Sequence, residues 1–467
     1  MEEAKALCFF FFFFIVAASS LPANFAGNGS DASDALAKDA DFIDELPNQP
    51  ESIDFRQYSG YLLAEPVSNR RFFYYFVEAE DIRPLSKPLI IYIGAPSVND
   101  LASALLSCFQ QVGPYTVGDD GQTLIPNPFS WNKFANILFI EGPVGVGFSL
   151  SDNDQDIYET QEFWIIADMY HFIVRWMKRF PEHKNNDVYI AGQSYIGALG
   201  PGLATYILYM NTRPDSTPIS IRGILMGNPK MDSDLEFITR FEAKFRMNII
   251  SEEILRDHRK LCHVKNTEDV LICWKPIGEY QRLALALDGY NVYSKFCPNI
   301  DIKSVGLDNF KEKVYDCNEQ CVAGYLNIPF VQVMMHVQST PWGPPMWQPY
   351  DSNTRVLRNI SSSTPYIKAA MAKGVRVLIY SGVQDDENVI PNMIVIKSMN
   401  LTISSEWRPW FDNKVEVAGF VESYVGGLTY ATVRAAGMKV MIDQPERGFI
   451  LAKSFITNSS LPFTKFV

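Results

Sequence analysis

The first place where this sequence could support covalent chemistry is a serine at the end of an apolar stretch. Val188-Tyr189-Ile190-Ala191 runs into Gly192-Gln193-Ser194-Tyr195-Ile196-Gly197 and then a helical pattern. A strand, a tight turn carrying Gly-x-Ser and a helix form a nucleophile elbow, which lifts the serine oxygen out over a sheet. Such a serine attacks an acyl carbon only when a neighbouring base accepts its proton. Small residues are favoured two places either side of the serine; Gly192 complies and Ile196 does not. Taken alone, Gly-x-Ser more often marks an ordinary turn serine than a nucleophile.

Two more groups decide what the serine could do. Asp385 follows the apolar run Val375 to Tyr380 and would emerge where an orienting acid belongs. Asp386 is the alternative acid, and a solvated acidic loop is the plain reading of both. The base is the harder problem. The histidines are His171, His183, His258, His263 and His336, and none follows Asp385. With a nucleophile elbow the triad order along the chain is serine, acid, histidine.

The elements that must carry these residues alternate. Short apolar runs at 72–77, 89–93, 137–140, 188–191, 224–226 and 375–380 predict strands, several buried on both faces. Helical segments lie between them, the clearest from Thr160 to Phe180, with Thr160 as N-cap and Pro181 as stop. This pattern predicts an α/β protein with a mostly parallel central sheet flanked by helices. Residues 241–345 differ: they hold five of the six cysteines beyond Cys8 and read as helical around 252–262 and 270–287. The expected organisation is a signal peptide at 1–20, a flexible acidic lead-in at 21–50 and core at 51–240. A helical, disulfide-bearing cap insertion follows at 241–345, and the core resumes at 346–467.

Composition narrows the function classes. The chain has 467 residues, 47% of them hydrophobic, and a formal net charge of -12. Nucleic acid is excluded as a partner because its binding needs a basic surface. Lys5 precedes an apolar block from Leu7 to Ala18 with small residues after it. That block is short for a membrane span and reads as a secretory signal, with an uncleaved anchor as the alternative. Cys108, Cys262, Cys273, Cys297, Cys317 and Cys321 form an even set suited to disulfides in an oxidising compartment. Zinc is the alternative for Cys317 and Cys321, but no histidine cluster completes such a site. No metal and no cofactor are expected. Sequons at Asn28, Asn359, Asn400 and Asn458 agree with the secretory pathway, extracellular or vacuolar.

The flanks of the elbow carry a resemblance. Upstream stand Pro88-Leu89-Ile90-Ile91-Tyr92-Ile93-Gly94-Ala95-Pro96, Gly113-Pro114-Tyr115, Trp131-Asn132-Lys133-Phe134-Ala135-Asn136 and Pro143-Val144-Gly145-Val146-Gly147-Phe148-Ser149. Downstream come Gly227-Asn228-Pro229, Tyr380-Ser381-Gly382-Val383-Gln384-Asp385 and Glu406-Trp407-Arg408-Pro409-Trp410. In this order they resemble the serine carboxypeptidase-like family from about Ser59 onward. The Glu406 block and Tyr430-Ala431-Thr432-Val433-Arg434 are most similar to its plant branch, which includes glucose-ester acyltransferases. The resemblance implies an α/β-hydrolase fold with a helical cap. It also implies either carboxypeptidase or acyl-transfer chemistry through an acyl-serine.

Carried over residue by residue, the resemblance makes Ser194 the nucleophile and Asp385 the acid, although Val383 replaces the family's first aspartate in that motif. Met438 stands at the histidine position. A thioether takes no proton from serine, and loss of the base costs on the order of 10⁴–10⁶ in rate. Lys439 is the one neighbouring substitute. The oxyanion donors implied are the backbone amides of Ala95 and Tyr195, but the family's glycine-rich block is shortened to Gly94-Ala95-Pro96-Ser97-Val98. Gln193 replaces an acidic residue and, with Gly94, falls in the substrate-binding positions; its amide hydrogen-bonds but shares no proton. Val98 replaces a family cysteine whose partner near Trp342 is also absent. Met438, Ala95, Gln193 and Ile196 all fall at the implied reaction centre. The expectation is a secreted family member that is catalytically impaired and acts by binding. Its ligand would be a peptide C-terminus or an acyl-glucose-like molecule if the pocket persists. The alternative is an active carboxypeptidase or acyltransferase with an unusual base.

Overall fold

The computed structural model describes residues 37–463 except 66–68, 95–100, 154, 263–266, 285–286, 288–289, 295–316, 340–342, 344, 352–354, 358 and 414–415. The expected signal peptide, Asn28, Ala95, Val98 and Cys297 therefore lie outside the described residues.

Eleven strands share one sheet. In chain order they are β1 (Phe42–Ile43), β2 (Gln57–Glu65), β3 (Arg70–Val77), β4 (Leu89–Ile93), β5 (Asn136–Ile140) and β6 (Val188–Gln193). They continue as β7 (Ile221–Gly227), β8 (Arg376–Gly382), β9 (Ile403–Phe411), β10 (Val417–Tyr424) and β11 (Leu428–Val433). Their spatial order is β1-β2-β3-β5-β4-β6-β7-β8-β11-β10-β9. From β5 to β11 every neighbouring pair is parallel; the two margins are antiparallel. The chain leaves the sheet after β7 and returns beside it at β8, so the core is discontinuous in sequence.

Side-chain alternation explains why the sheet is covered on both faces. Phe72, Tyr74 and Phe76 of β3 join Leu89, Ile91 and Ile93 of β4 in one apolar cluster. Phe73, Tyr75 and Val77 join Ile90 and Tyr92 in the other. Successive side chains of a strand point to opposite faces, so an unbroken apolar run feeds two cores. The first face packs α1 (Glu162–Arg179) and α2 (Ile196–Met210). The second packs the helix Pro445–Ile456. A third, small cluster of Phe241, Ile250, Ile254 and Leu255 lies away from the sheet. It joins α3 (Ser233–Arg246) to α4 (Glu252–Leu261), with Tyr280 of α5 (Thr267–Ala284) packed against it. Among the described residues no helix is long and apolar enough to cross a membrane.

Three expectations need correction. Residues 37–50 are not a flexible lead-in: Phe42 and Ile43 pair with Tyr58 and Gln57, and Ile43 and Leu46 are buried. Asp41 accepts hydrogen bonds from Tyr74 at 2.6 Å and Arg179 at 2.7 Å. Thr160 is not an N-cap; it pairs with Val356 in a short parallel bridge, and α1 starts at Glu162. The boundary at 241 falls inside α3, which is capped by Asp232, so the departure from the core begins earlier.

Candidate active site

Four neighbouring parallel strands, β6, β7, β8 and β11, end on the same edge of the sheet. Ser194 follows β6, Asn228 follows β7, Asp385 lies three residues after β8 and Met438 five after β11. Parallel strands therefore bring together residues far apart in sequence.

Ser194 has φ +54°, a left-handed conformation that a non-glycine residue adopts at a cost. The turn packs closely, with Gly192 two residues before the serine and Gly197 three residues after it. A Cβ on Gly192 would lie 2.7 Å from Ile93 O, and one on Gly197 would lie 2.3 Å from Lys230 O. The backbone of Ser194 is clamped by Gly227 O at 2.9 Å and by the Lys230 amide at 2.8 Å. Ile196 is fully buried, and its side chain packs toward Gly192 and Gly200 within the sheet-side core. Its bulk thus lies beneath the elbow.

The acid loop is densely bonded. Asp385 is fully buried, and its Oδ2 accepts from Asn228 Nδ2 at 2.7 Å and Asn388 Nδ2 at 2.8 Å. Its Oδ1 accepts from the backbone amides of Glu387 at 2.9 Å and Asn388 at 3.3 Å. Burial pushes its pKa up to about 6, against the pull of these hydrogen bonds. Asp386 turns the other way. It pairs with Lys244 Nζ of α3 at 3.1 Å and accepts from Tyr280 of α5 at 2.9 Å.

The Met438 loop is laced to the acid loop. Gln384 N donates to Ala436 O at 2.8 Å, and a Cβ on Gly382 would lie 1.9 Å from Gly437 O. Met438, half-buried, donates its backbone amide to Tyr290 O at 2.7 Å, while Val292 N donates to Gln384 O at 3.2 Å. The segment around Tyr290 thus holds both loops. Lys439 Nζ pairs with Glu319. The described histidines have other surroundings: His183 lies among Phe76 and Trp176, His258 stacks on Phe241, His336 contacts Ser59 O and His171 contacts Tyr170.

Of the implied oxyanion donors, Tyr195 sits at the N-terminus of α2 with its hydroxyl bonded to Glu162. Gly94 is buried against backbone, where a Cβ would lie 2.2 Å from Ala102 O. Gln193 donates from Nε2 to Gln111 Oε1 at 2.7 Å. Gln111 escaped the sequence reading. It lies on a π-helical turn, Cys108–Val112, just before the noted Gly113-Pro114-Tyr115. The only signal was the Gln110-Gln111 pair itself, which nothing local marks as buried.

Cys262 and Cys273 form a disulfide. Cys108 is buried and free, so it is not a disulfide residue in this structure; burial pushes its thiol pKa well up. Cys317 opens, and Cys321 lies on, the helix Cys317–Leu326. Asn359, Asn400 and Asn458 are exposed.

A family model described as serine carboxypeptidase matches residues 47–458. Serine carboxypeptidase-like 36 of Arabidopsis thaliana is 38% identical over 439 residues, covering 91% of this chain and 88% of that protein. Serine carboxypeptidase-like 38 of the same plant is also 38% identical, with the same coverage. Among solved structures, Kex1(delta)p, a prohormone-processing carboxypeptidase from Saccharomyces cerevisiae, superposes with a TM-score of 0.74. It is 18% identical and is matched over 90% of this chain and 96% of its own. Sequence motifs, sheet order and these likenesses agree: the chain belongs to the serine carboxypeptidase family and has an α/β-hydrolase fold.

Proposed function

We propose that this chain is a secreted serine carboxypeptidase-like protein that keeps the acyl-transfer scaffold but lacks the general base, and acts by binding. Ser194 is the former nucleophile, Asp385 the former orienting acid and Met438 the replacement for the base. The helices α3, α4 and α5, which leave the core after β7, belong to a cap beside this edge of the sheet. One observation carries the reading. Asp385 has about four acceptor sites, and four donors from asparagine side chains and backbone already occupy its two oxygens. An acid that orients imidazole would keep one site for it. Here the acid is bonded as a structural residue, beside a methionine that accepts no proton.

Lys439 is a poor substitute base because Glu319 already engages its ammonium. The exposed sequons and the Cys262–Cys273 bridge support passage through an oxidising, glycosylating compartment. The ligand is a peptide C-terminus or an acyl-sugar-like small molecule, the two substrate classes of the family.

A fluorophosphonate probe tests the reading. The purified chain should label no more than Ser194→Ala. Met438→His alone should recover little labelling, because Asp385 has no site left to orient the ring. Met438→His with Asn388→Ala should exceed it by a factor on the order of 10². Robust labelling of the unaltered chain at Ser194 would overturn the reading.

A further inference from the structure

At the edge of the sheet opposite Ser194, a cavity of about 320 Å³ opens where the chain enters β4 and β6. That volume lies in the range of small-ligand clefts, roughly 300–1,000 Å³, whose walls are mostly apolar. Here the walls are polar: Ser86, Lys87, Asn185 and Asp187 line the cavity, with Tyr189 and Ile456 beside them. Both wall charges are already neutralised. Lys87 pairs with Asp81 at 2.7 Å, and Asp187 pairs with Arg222 at 2.7 Å. Neither is left to hold a charged ligand, and an apolar ligand would strip water from the polar wall without replacing its hydrogen bonds. The lining suits a neutral ligand rich in hydroxyl and amide groups, which is the chemistry of a sugar.

An attachment point for a sugar lies beside it. Ile456 of the cavity wall ends the helix Pro445–Ile456, and the exposed sequon Asn458-Ser459-Ser460 begins two residues later. A single guanidinium joins the two places. Arg376 donates from Nη2 to the Tyr189 hydroxyl at 3.0 Å and from Nη1 to Asn458 Oδ1 at 3.0 Å. The Asn458 amide therefore lies within the reach of one or two sugar residues from the cavity wall. Its oxygen is held, while Nδ2, the atom to which a glycan attaches, has no hydrogen-bond partner among the described residues.

We propose that Asn458 carries an N-linked glycan whose first sugars seat in the cavity between residues 85–88 and 185–189. In the transfer, Nδ2 bonds to the anomeric carbon of an oligosaccharide activated as a diphosphate. The carbon–oxygen bond to that carrier breaks, and the amide proton leaves with the phosphate. The seated sugars tie the end of the C-terminal helix to the starts of β4 and β6. This rests on the reading that the chain enters the secretory pathway.

Expression of the full chain in a host that adds high-mannose glycans tests it, with peptide mapping by mass spectrometry. Asn458 should be occupied. An endoglycosidase that cuts between the first two sugars should release this glycan about tenfold more slowly from the folded chain than from the denatured chain, the effect of one or two net hydrogen bonds. Asn185→Trp, which fills the cavity from an exposed position, should abolish that protection. Ser460→Ala removes the sequon but keeps the bond between Asn458 and Arg376. Hydrogen exchange at residues 85–88 and 185–187 should then be faster than in the glycosylated chain, a measurement that stands even where Asn185→Trp fails to fold. An unmodified Asn458 in a chain glycosylated elsewhere, equal release from folded and denatured chains, or unchanged exchange would each overturn the proposal alone. A chain retained in the cell with no glycan at any sequon would sink the secretory reading and the proposal with it.

Discussion

Asp385, Glu141 and Glu162 are buried carboxyl groups on the side of the sheet that carries Ser194, and each is held by different chemistry. Glu162 is fully buried, taking the Tyr195 hydroxyl on one oxygen and the amides of Asn359 and Ile360 on the other. It thereby ties the residue after Ser194 to a distant loop. Glu141 accepts from Ser103, the Phe148 amide at 2.7 Å and Trp347 Nε1 at 3.3 Å. Burial nevertheless pushes its pKa from 4.5 up to about 7. The sign of its linkage follows. Between those values the folded chain holds a proton that the unfolded chain releases, so stability falls as the pH rises and levels off above about 7. Asp385 acts in the same direction up to about 6. Glu141→Gln removes its share, on the order of 3 kcal/mol. Thermal unfolding of that variant should therefore change less between pH 4.5 and pH 7.5 than unfolding of the parent chain; an unchanged slope would show that Glu141 stays ionised.

At the scale of elements, the helices beyond β7 are attached to the core through charge. Lys244 and Asp386 are 1% and 2% exposed. The Lys244 ammonium also sits 4.4 Å from the centre of the Tyr280 ring, so α3, α5 and the acid loop meet at one buried pair. Removing one partner of such a pair leaves an uncompensated charge, which costs about 3–5 kcal/mol. Lys244→Met should lower stability by that amount in denaturant titration. The double variant Lys244→Met with Asp386→Leu should recover most of it. A single variant as stable as the parent would show that the pair does not anchor these helices.

On the scale of the whole molecule, the sheet closes against a segment whose composition gives no hint of order. Residues 37–50 add a strand at the margin and supply Asp41 to Arg179 and Tyr74 and Lys38 to Glu182. A chain beginning at residue 51 leaves the half-buried Arg179 without its carboxylate and uncovers β2. It should unfold about 2–4 kcal/mol more easily, which a urea midpoint measures. Cooperative unfolding at the parent midpoint would show the segment to be dispensable.

The alternation of strands and helices, the elbow and the absence of a late histidine were all readable in one dimension. Apolar period, glycine placement and residue order along the chain are local properties. Six predicted strands lie where their apolar runs predicted, because runs buried on both faces suit few other structures. Contacts between distant segments were not readable. Asp385 spends its oxygens on Asn228 and Asn388, Gln111 meets Gln193, and Asp386 turns to Lys244 only because strand register and helix packing bring them within hydrogen-bond reach. Thr160 and residues 37–50 were misread for the same reason: each takes its structure from a strand remote in sequence. Residue type states what a group can bond; only the folded backbone decides with whom.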